Sequence, residues 1–245
     1  MAQKSIKKNY IYNLTYQILT LITPLITTPY LSRVFGADGI GTCSYIESVS
    51  SYFVLFATLG LTTFGQRETS YVQDDRKKRS IIFWETNIIE LIASLLCIVA
   101  YVVFSFTQAN RTLYLVLVLN LFSVIANISW FFQGMEEFGK IVLRNIIFKV
   151  VNIIYIFAFV KSKDDIIVYL FGVAFFGLIN NLSYWISVPK YINRPVLNEL
   201  HSSKHIKTVI ALFVPTIAMQ VYTVLDKTMI GVITKNAYEN GYYEQ

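Results

Sequence analysis

The stretch Leu21–Gly41, with the sequence LITPLITTPYLSRVFGADGIG, decides how this chain folds. It begins inside an apolar run, holds Pro24 and Pro29, and ends on the lone cation Arg33 and a glycine-rich turn. Proline in a helix interior removes a hydrogen bond and clashes with the preceding turn. A membrane-spanning helix tolerates such a break where threonine side chains or neighbouring helices satisfy the freed carbonyl groups. The stretch therefore predicts the first span of a transporter, broken at its prolines around something polar.

Composition places the whole chain in a membrane. Of its 245 residues, 55% are hydrophobic and only 15% are charged, and the mean hydropathy is +0.52. Soluble domains are usually about 25% charged. A net charge of +6 would favour nucleic acid as the partner of a soluble protein, but in a membrane protein it indicates basic loops that face anionic lipid. The sequence therefore predicts membrane lipids, and no nucleic acid, as partners.

Seven stretches contain the roughly 20 mostly apolar residues that a membrane-spanning helix needs. The loops between them are too short to hold a soluble domain. The sequence therefore predicts an all-α, polytopic membrane protein with about seven transmembrane helices. The predicted spans are Ile11–Ser32, Gly41–Phe64, Ile81–Phe106, Leu113–Gln133, Ile141–Val160, Ile166–Val188 and Thr208–Ile233.

The distribution of basic residues predicts the orientation. Fourteen of the 21 Lys and Arg fall in the loops after the second, fourth and sixth spans or at the N-terminus, which holds Lys4, Lys7 and Lys8. Five fall on the other side. Because cytoplasmic loops carry an excess of Lys and Arg, we expect a multi-pass protein with a cytoplasmic N-terminus.

The seventh span repeats features of the first. Pro215 lies early in it as Pro24 lies in the first span, and Leu225–Lys227 falls where Leu31–Arg33 fell. Weak repetition six spans apart is typical of duplicated transporters. We also expect the chain to be the N-terminal part of a longer protein. Three regions follow: a six-helix lobe (1–189), a cytoplasmic inter-lobe loop (190–207), and the first helix and loop of a second lobe (208–245).

Lys149 is the clearest functional candidate inside a span. It lies mid-span on one helix face with Asn145 and Asn152, at the i, i+4, i+7 spacing. An amine so far from either end does not easily reach the interface, which favours a water-filled cavity around Lys149. For the asparagine and threonine stripes, hydrogen bonding between packed helices is the favoured interpretation.

The other charged residues leave two interpretations open. Arg33 is either an interfacial anchor or part of a cavity mouth. Asp226 and Lys227 either neutralise each other or lie near the outer interface. Glu85 fits an interfacial charge, whereas Glu90 lies more than one turn deeper and is a functional hypothesis by default.

Patterns of enzymes and cofactor sites are missing from the sequence. It contains no P-loop, so the chain does not hydrolyse ATP through one. His201 and His205 lie four residues apart in the 190–207 loop with no acidic or cysteine partner for a metal site, and we expect them to be solvated. The sequence therefore predicts a protein that is not an enzyme and has no catalytic residues, cofactor or metal.

Several motifs, in the order in which they occur along the chain, resemble those of the polysaccharide flippases. These are the Wzx-type O-antigen and teichoic-acid exporters of the multidrug/oligosaccharidyl-lipid/polysaccharide superfamily. The resemblance covers the whole chain. The motifs are TPLITTPYLSRVFGADGIG (23–41) with Tyr45, FGQRETSYV (64–72), WFFQG (130–134), LDKTMIG (225–231) and GYYE (241–244).

This resemblance implies a MATE-like fold of two six-helix lobes around a central cavity, of which the chain holds the first lobe and one helix of the second. It implies a bacterial cytoplasmic (inner) membrane protein that flips an undecaprenyl-pyrophosphate-linked oligosaccharide to the outer leaflet by alternating access. The flipped oligosaccharide would be used for export of O-antigen, capsule or teichoic acid. Polysaccharide polymerase and chain-length proteins are further candidate partners.

Within that resemblance, each candidate residue has a role. Arg33, Lys149 and Lys227 would offset the pyrophosphate charge in a low-dielectric cavity. Glu90 and Asp226 are candidates for coupling the cycle to protons or sodium. Pro24, Pro29 and Pro215 would break the helices that line the cavity.

Three alternatives compete with a working flippase. A MATE-type cation or drug antiporter would share the fold, but its cavity would need carboxylates or aromatics to hold cations, and Lys149 counts against it. A membrane-embedded glycosyltransferase would need a catalytic acid/base pair, and none is visible in the sequence. A truncated flippase product without transport activity is the third alternative.

Overall fold

The structure, a computed structural model, describes residues 6–244, and Lys4 lies outside this range. Side chains are described from residue 11 onward, except those of residues 13, 16 and 197. The all-α prediction is confirmed, since the described residues form helices, short 3-10 turns and loops. The helices are α1 (Ile6–Thr58), α2 (Leu61–Tyr71), α3 (Arg76–Phe106), α4 (Arg111–Val116), α5 (Val118–Ala126), α6 (Ser129–Gly134), α7 (Phe138–Phe159), α8 (Ile166–Trp185), α9 (Ile206–Thr234) and α10 (Ala237–Glu244).

Helix α1 is too long to cross a membrane once. Its 53 residues would extend about 80 Å as a straight helix, whereas the hydrocarbon core is about 30 Å thick. The helix is interrupted at Gly36, whose φ of 67° and ψ of −179° are non-helical. We call the part before Gly36 the first arm and the part after it the second arm.

The two arms run in opposite directions. Along the first arm, the ring of Tyr12 packs on Gly139 and Tyr30 donates a hydrogen bond to the carbonyl of Val160, so this arm is parallel to α7. Along the second arm, Tyr45 packs on Gly231 and Phe56 on Phe213, so this arm is antiparallel to α9.

Helices α7 and α9 begin at the same end of the bundle. Because the first arm is parallel to α7 and the second arm is antiparallel to α9, the two arms run in opposite directions. We call this the basic end; it holds residues 72–80, 135–140 and 186–205. The far end holds residues 36–40, 107–110, 160–165 and 235–236. Six helical segments within the described range are long and apolar enough to span a membrane, and the first of them, Gln17–Tyr71, contains both arms. The six segments and the reversal at Gly36 together give seven passes.

The prolines do not interrupt their helices, contrary to the prediction. Helix α1 continues through Pro24 and Pro29, and α9 continues through Pro215. Threonines beside the prolines hydrogen-bond to carbonyls one turn back: Thr23 to Leu19 at 2.7 Å and Thr216 to Leu212 at 3.2 Å. The interruption falls at Gly36 because ψ near 180° with positive φ is a conformation that glycine alone adopts readily.

Two large buried clusters hold the bundle together, and a small third one at Leu61, Phe64 and Val209 joins α2 to α9. Around the far half, Phe35, Ile46 and Leu121 belong to a cluster that joins both arms of α1 to α3, α5 and α8. Toward the basic end, an aromatic cluster joins α3, α6, α8 and the segment after α8. Its members include Phe83, Trp130, Phe131, Phe132 and Tyr184.

Helix α10 packs tightly against the second arm at the far end. A Cβ atom added to Gly41 would overlap the carbonyl oxygen of Ala237, and one added to Gly241 would overlap the carbonyl oxygen of Ala37. Helices in membranes pack this closely where small residues let the backbones approach. These two glycines therefore fix the position of α10 on α1.

We expect Gly41→Ala to destabilise the fold by about 1–3 kcal/mol, the usual cost of overpacking. Gly177→Ala is the matched control, because Gly177 also lies in a helix and a Cβ there would meet only Ser123 Oγ, at 4.0 Å. Thermal unfolding in detergent would measure both variants. Equal midpoints for the two variants would contradict the tight contact.

Candidate functional site

A polar groove runs between α7 and α8 at the middle of the bundle. Lys149 reaches it from α7, half-buried, with its Nζ 3.4 Å from Thr20 Oγ1 on the first arm. The groove has a volume of about 210 Å³ and is open to its surroundings. Besides Lys149, its polar lining consists of Asn145, Asn152 and Asn180.

The asparagines of this groove serve two purposes. Asn145 Oδ1 accepts hydrogen bonds from Asn180 Nδ2 and from the hydroxyl of Tyr184, both at 2.8 Å, which joins α7 to α8. These contacts agree with the interhelical interpretation. However, Asn152 Oδ1 and Asn180 Oδ1 are buried and have no hydrogen-bond partner within residues 6–244. These two oxygen atoms have almost no accessible surface, so a ligand that carries hydroxyl groups would reach them only after α7 and α8 move.

The structure does not bring the three predicted cations together. Arg33 is exposed and lies 13 residues beyond Thr20 on the first arm, so about 20 Å of helix separates it from the level of Lys149. Lys227 lies on α9, and its Nζ is 2.5 Å from Glu244 Oε2. Lys149 is the cation that remains at the groove.

The partner of Lys227 corrects one of the two open interpretations. Lys227 and Asp226 do not neutralise each other, because Lys227 pairs with Glu244 and Asp226 accepts a hydrogen bond from the hydroxyl of Tyr243 at 2.5 Å. That bond raises the pKa of Tyr243, since the phenol loses a favourable contact when it ionises. Both contacts attach α10 to α9.

Glu47 is a charged residue that the sequence interpretation missed. It lies in the second arm, where its carboxylate is close enough to Glu244 and Lys227 to interact electrostatically with both. Ser44, one turn earlier, donates a hydrogen bond to Glu244 at 2.9 Å. A signal was present in the sequence, because Glu47 is the single ionisable carboxylate in the predicted span Gly41–Phe64.

Glu90 is buried in α3, with 1% of its surface exposed. Neither carboxylate oxygen meets hydrogen-bond geometry with a described residue, although the indole N–H of Trp130 lies nearby. The buried hydroxyls of Thr86 and Ser94, on the same face of α3, also have no such partner. These groups form a polar patch inside an otherwise apolar region.

Glu85 ties α3 to the segment that leads into α9. Its buried carboxylate accepts hydrogen bonds from the backbone N–H of His201 at 2.6 Å and from Lys204 Nζ at 3.0 Å. His205 Nε2 lies 2.8 Å from its other oxygen. The prediction that the histidines are solvated is therefore wrong for His205, which packs against the buried Glu85, whereas the interfacial position of Glu85 stays a prediction. Their sequence separation of 120 residues concealed the pair.

The architecture and the groove define a polytopic helical membrane protein with a polar, cationic site at the middle of the bundle. The described residues contain no cluster of three or more His, Cys, Asp or Glu side chains that could hold a metal ion. Residues 6–245 match the family described as Polysaccharide biosynthesis protein. The chain belongs to this family.

Two relatives agree with the family, and the resemblance to polysaccharide flippases is thereby confirmed. A protein of Escherichia coli (strain K12) that carries the name O-antigen transporter is 27% identical over 177 residues, which cover 66% of this chain and 40% of the relative. A Shigella dysenteriae protein of the same name is 22% identical over 232 residues, which cover 92% of this chain and 58% of the relative. The chain thus spans about half the length of these relatives. No solved structure matches it.

We expect Glu85→Ala to cost about 2–4 kcal/mol of unfolding free energy, because it removes a buried charge and three hydrogen bonds at once. The lower part of this range applies if Lys204, whose side chain is half exposed, regains water. Glu199→Ala is the control: Glu199 pairs with the exposed Lys77 at the same end, and such pairs contribute little. Chemical denaturation in detergent would compare the unfolding free energies of the two variants. A Glu85→Ala protein as stable as Glu199→Ala would refute the anchoring role.

Proposed function

We propose that the chain is part of a carrier that moves an undecaprenyl-pyrophosphate-linked oligosaccharide across the bacterial cytoplasmic membrane, with its N-terminus in the cytoplasm. The observation that carries this proposal is Lys149, a cation half-buried at mid-span in a groove of asparagines. Membership of the polysaccharide biosynthesis family and the names of the relatives support the same conclusion.

The chemistry of the groove suits such a substrate. The Lys149 amine would offset pyrophosphate charge, and this attraction is strong in a low-dielectric setting. The buried acceptors of Asn152 and Asn180, which lack a described partner, would receive hydrogen bonds from sugar hydroxyls when the helices move and expose them. The lipid tail would remain in the bilayer, and the cycle would proceed by alternating access without chemical change to the substrate.

The other two cations take different roles in this proposal. Arg33, exposed near the far end, would contact the substrate headgroup as it leaves. Lys227 is neutralised by Glu244, so its role would be to join α9 and α10 to the second arm, with Glu47 nearby. The boundaries proposed for the lobes, 1–189, 190–207 and 208–245, place this contact between the first lobe and the beginning of the second.

A cation antiporter is a weaker proposal for the same groove. Binding an organic cation would require carboxylates or aromatic faces. The polar groups that line the groove are one amine and three amides, and the amine would repel a cation.

We expect Lys149→Met to weaken binding of a pyrophosphate-linked undecaprenyl oligosaccharide to the chain in nanodiscs by about 10- to 100-fold, the range of one charge-assisted hydrogen bond. Lys149→Arg should retain most of the affinity. Lys163→Met removes an equal charge from an exposed far-end site and should leave binding unchanged. Titration of the oligosaccharide against labelled nanodiscs measures the dissociation constant of each variant. Equal affinity of Lys149→Met and the unmodified chain would overturn the proposal.

We also propose Glu90 as the proton site that couples transport to a pH gradient, ahead of Asp226, because Glu90 is buried whereas Asp226 is exposed and bonded to Tyr243. In proteoliposomes, Glu90→Gln should abolish acceleration of glycan transport by an imposed pH gradient while substrate binding stays intact. Glu68→Gln, at a partly exposed carboxylate paired with Arg67, should keep the acceleration. Gradient-driven transport by Glu90→Gln would refute the assignment.

A further inference from the structure

A small pocket at the basic end lies between the first turns of α3 and the segment 193–200, which leads toward α9. Its volume is about 270 Å³, and it is partly open to its surroundings. Two hydrogen bonds join its walls. Trp84 Nε1 donates to the carbonyl of Asn193 at 3.0 Å, and the backbone N–H of Asn193 donates to Ser80 Oγ at 2.8 Å. The fold therefore fixes both sides of the pocket.

The rim of this pocket is cationic and its walls are mostly apolar. Lys77 on α3 and Arg194 on the segment 193–200 are both exposed. Lys77 Nζ pairs with Glu199 Oε1 at 2.7 Å, whereas Arg194 has no ion pair within the part of the chain that the structure describes. Ile81 and Val196 contribute apolar surface below these charges. The lining therefore suits an anion that also carries an apolar part.

Helix α3 places the pocket at the membrane surface. Its 31 residues extend about 46 Å, whereas the hydrocarbon core is about 30 Å thick. The exposed large hydrophobic side chains of α3 begin at Leu91 and end at Phe106, so the excess length lies at the basic end. Trp84 lies within this excess, and tryptophan is enriched at the interface between membrane and water. The pocket is therefore at the depth of the lipid headgroups.

One face of α3 connects the pocket to the surface that lipid covers. Lys77, Ile81 and Trp84 share this face at the i, i+4, i+7 spacing. The same face continues through Leu91 and Leu95, which are both exposed. An acyl chain that lay along Leu91 and Leu95 would lead to Trp84 and place its headgroup at the rim. A small soluble anion would make no use of this apolar continuation.

We propose that this pocket binds an anionic phospholipid, with the phosphate between Lys77 and Arg194 and one acyl chain along Leu91 and Leu95. Lysine and arginine donate charge-assisted hydrogen bonds to phosphate, and basic pockets between transmembrane helices recognise anionic headgroups in this way. Because the segment 193–200 forms one wall, the bound lipid would hold this segment against α3. The site is separate from the Lys149 groove and does not rest on the proposed transport function.

The test titrates the chain in neutral detergent with phosphatidylglycerol and counts the bound lipids by native mass spectrometry. Phosphatidylcholine is the neutral comparison, and we expect it to bind about tenfold more weakly. Arg194→Gln should weaken phosphatidylglycerol binding by about tenfold, the effect of losing one charge-assisted hydrogen bond. Arg111→Gln is the matched control, because Arg111 is an exposed arginine at the start of α4, near the far end, and its loss should leave this binding unchanged.

Unchanged binding by Arg194→Gln, or an equal loss in Arg194→Gln and Arg111→Gln, would overturn the proposal, since net charge alone would then explain the attraction. Two further ligands distinguish the source of the phosphate. Glycerol 3-phosphate, which lacks acyl chains, should bind at least tenfold more weakly, and equal binding would refute a lipid site. A polyprenyl phosphate that displaced phosphatidylglycerol at lower concentration would assign the pocket to an isoprenoid lipid and would also refute the proposal. Lys149→Met should leave phosphatidylglycerol binding unchanged, so this test and that of the proposed function fail independently.

Discussion

The fold depends on the reversal of the chain at Gly36. With φ at 67° and ψ at −179°, this residue occupies a region of backbone space that side chains other than hydrogen make costly. The reversal turns one 53-residue helix into two antiparallel arms. The first arm supplies Thr20 to the Lys149 groove, and the second supplies Glu47, Tyr45 and Gly41 to the contacts with α9 and α10. Without it, Lys149 would lose its contact with Thr20, and α10 would lose its close contact with α1.

Much of this architecture was predictable because lipid leaves the backbone few choices. A segment in hydrocarbon must satisfy its own hydrogen bonds, so seven apolar stretches of sufficient length imply seven helical passes. The position of the interruption was harder to predict. Pro24 and Pro29 are the obvious helix breakers, yet each removes a single backbone donor, and α1 continues through both. Gly36 changes the direction of the chain, and a glycine in sequence does not reveal its φ.

The site was only partly predictable, for a different reason. Lys149 and Glu90 stand out because ionisable residues inside apolar spans are rare. The partners of such residues do not stand out in the sequence, because pairing depends on which helices become neighbours. Lys227 and Glu244 are 17 residues apart and separated by a turn, and Glu85 meets His205 across 120 residues. Spacing rules for one helix face identify neither pair. Glu47 was visible in the sequence, and its pairing with another segment was not.

The two ends of the bundle are held by different forces, which bears on how a carrier built from it would move. At the basic end, the buried carboxylate of Glu85 is bonded to Lys204 and His205, and Arg79 is buried with its guanidinium donating to the carbonyl of Tyr191 at 3.1 Å. Separating such groups exposes unpaired charges to a poor solvent, which is costly. At the far end, α10 contacts the second arm through close glycine packing and through the hydrogen bond from Ser44 to Glu244. If α9 and α10 move away from the second arm together, Lys227 and Glu244 stay paired and keep their charges compensated. Opening at the far end should therefore cost less than opening at the basic end.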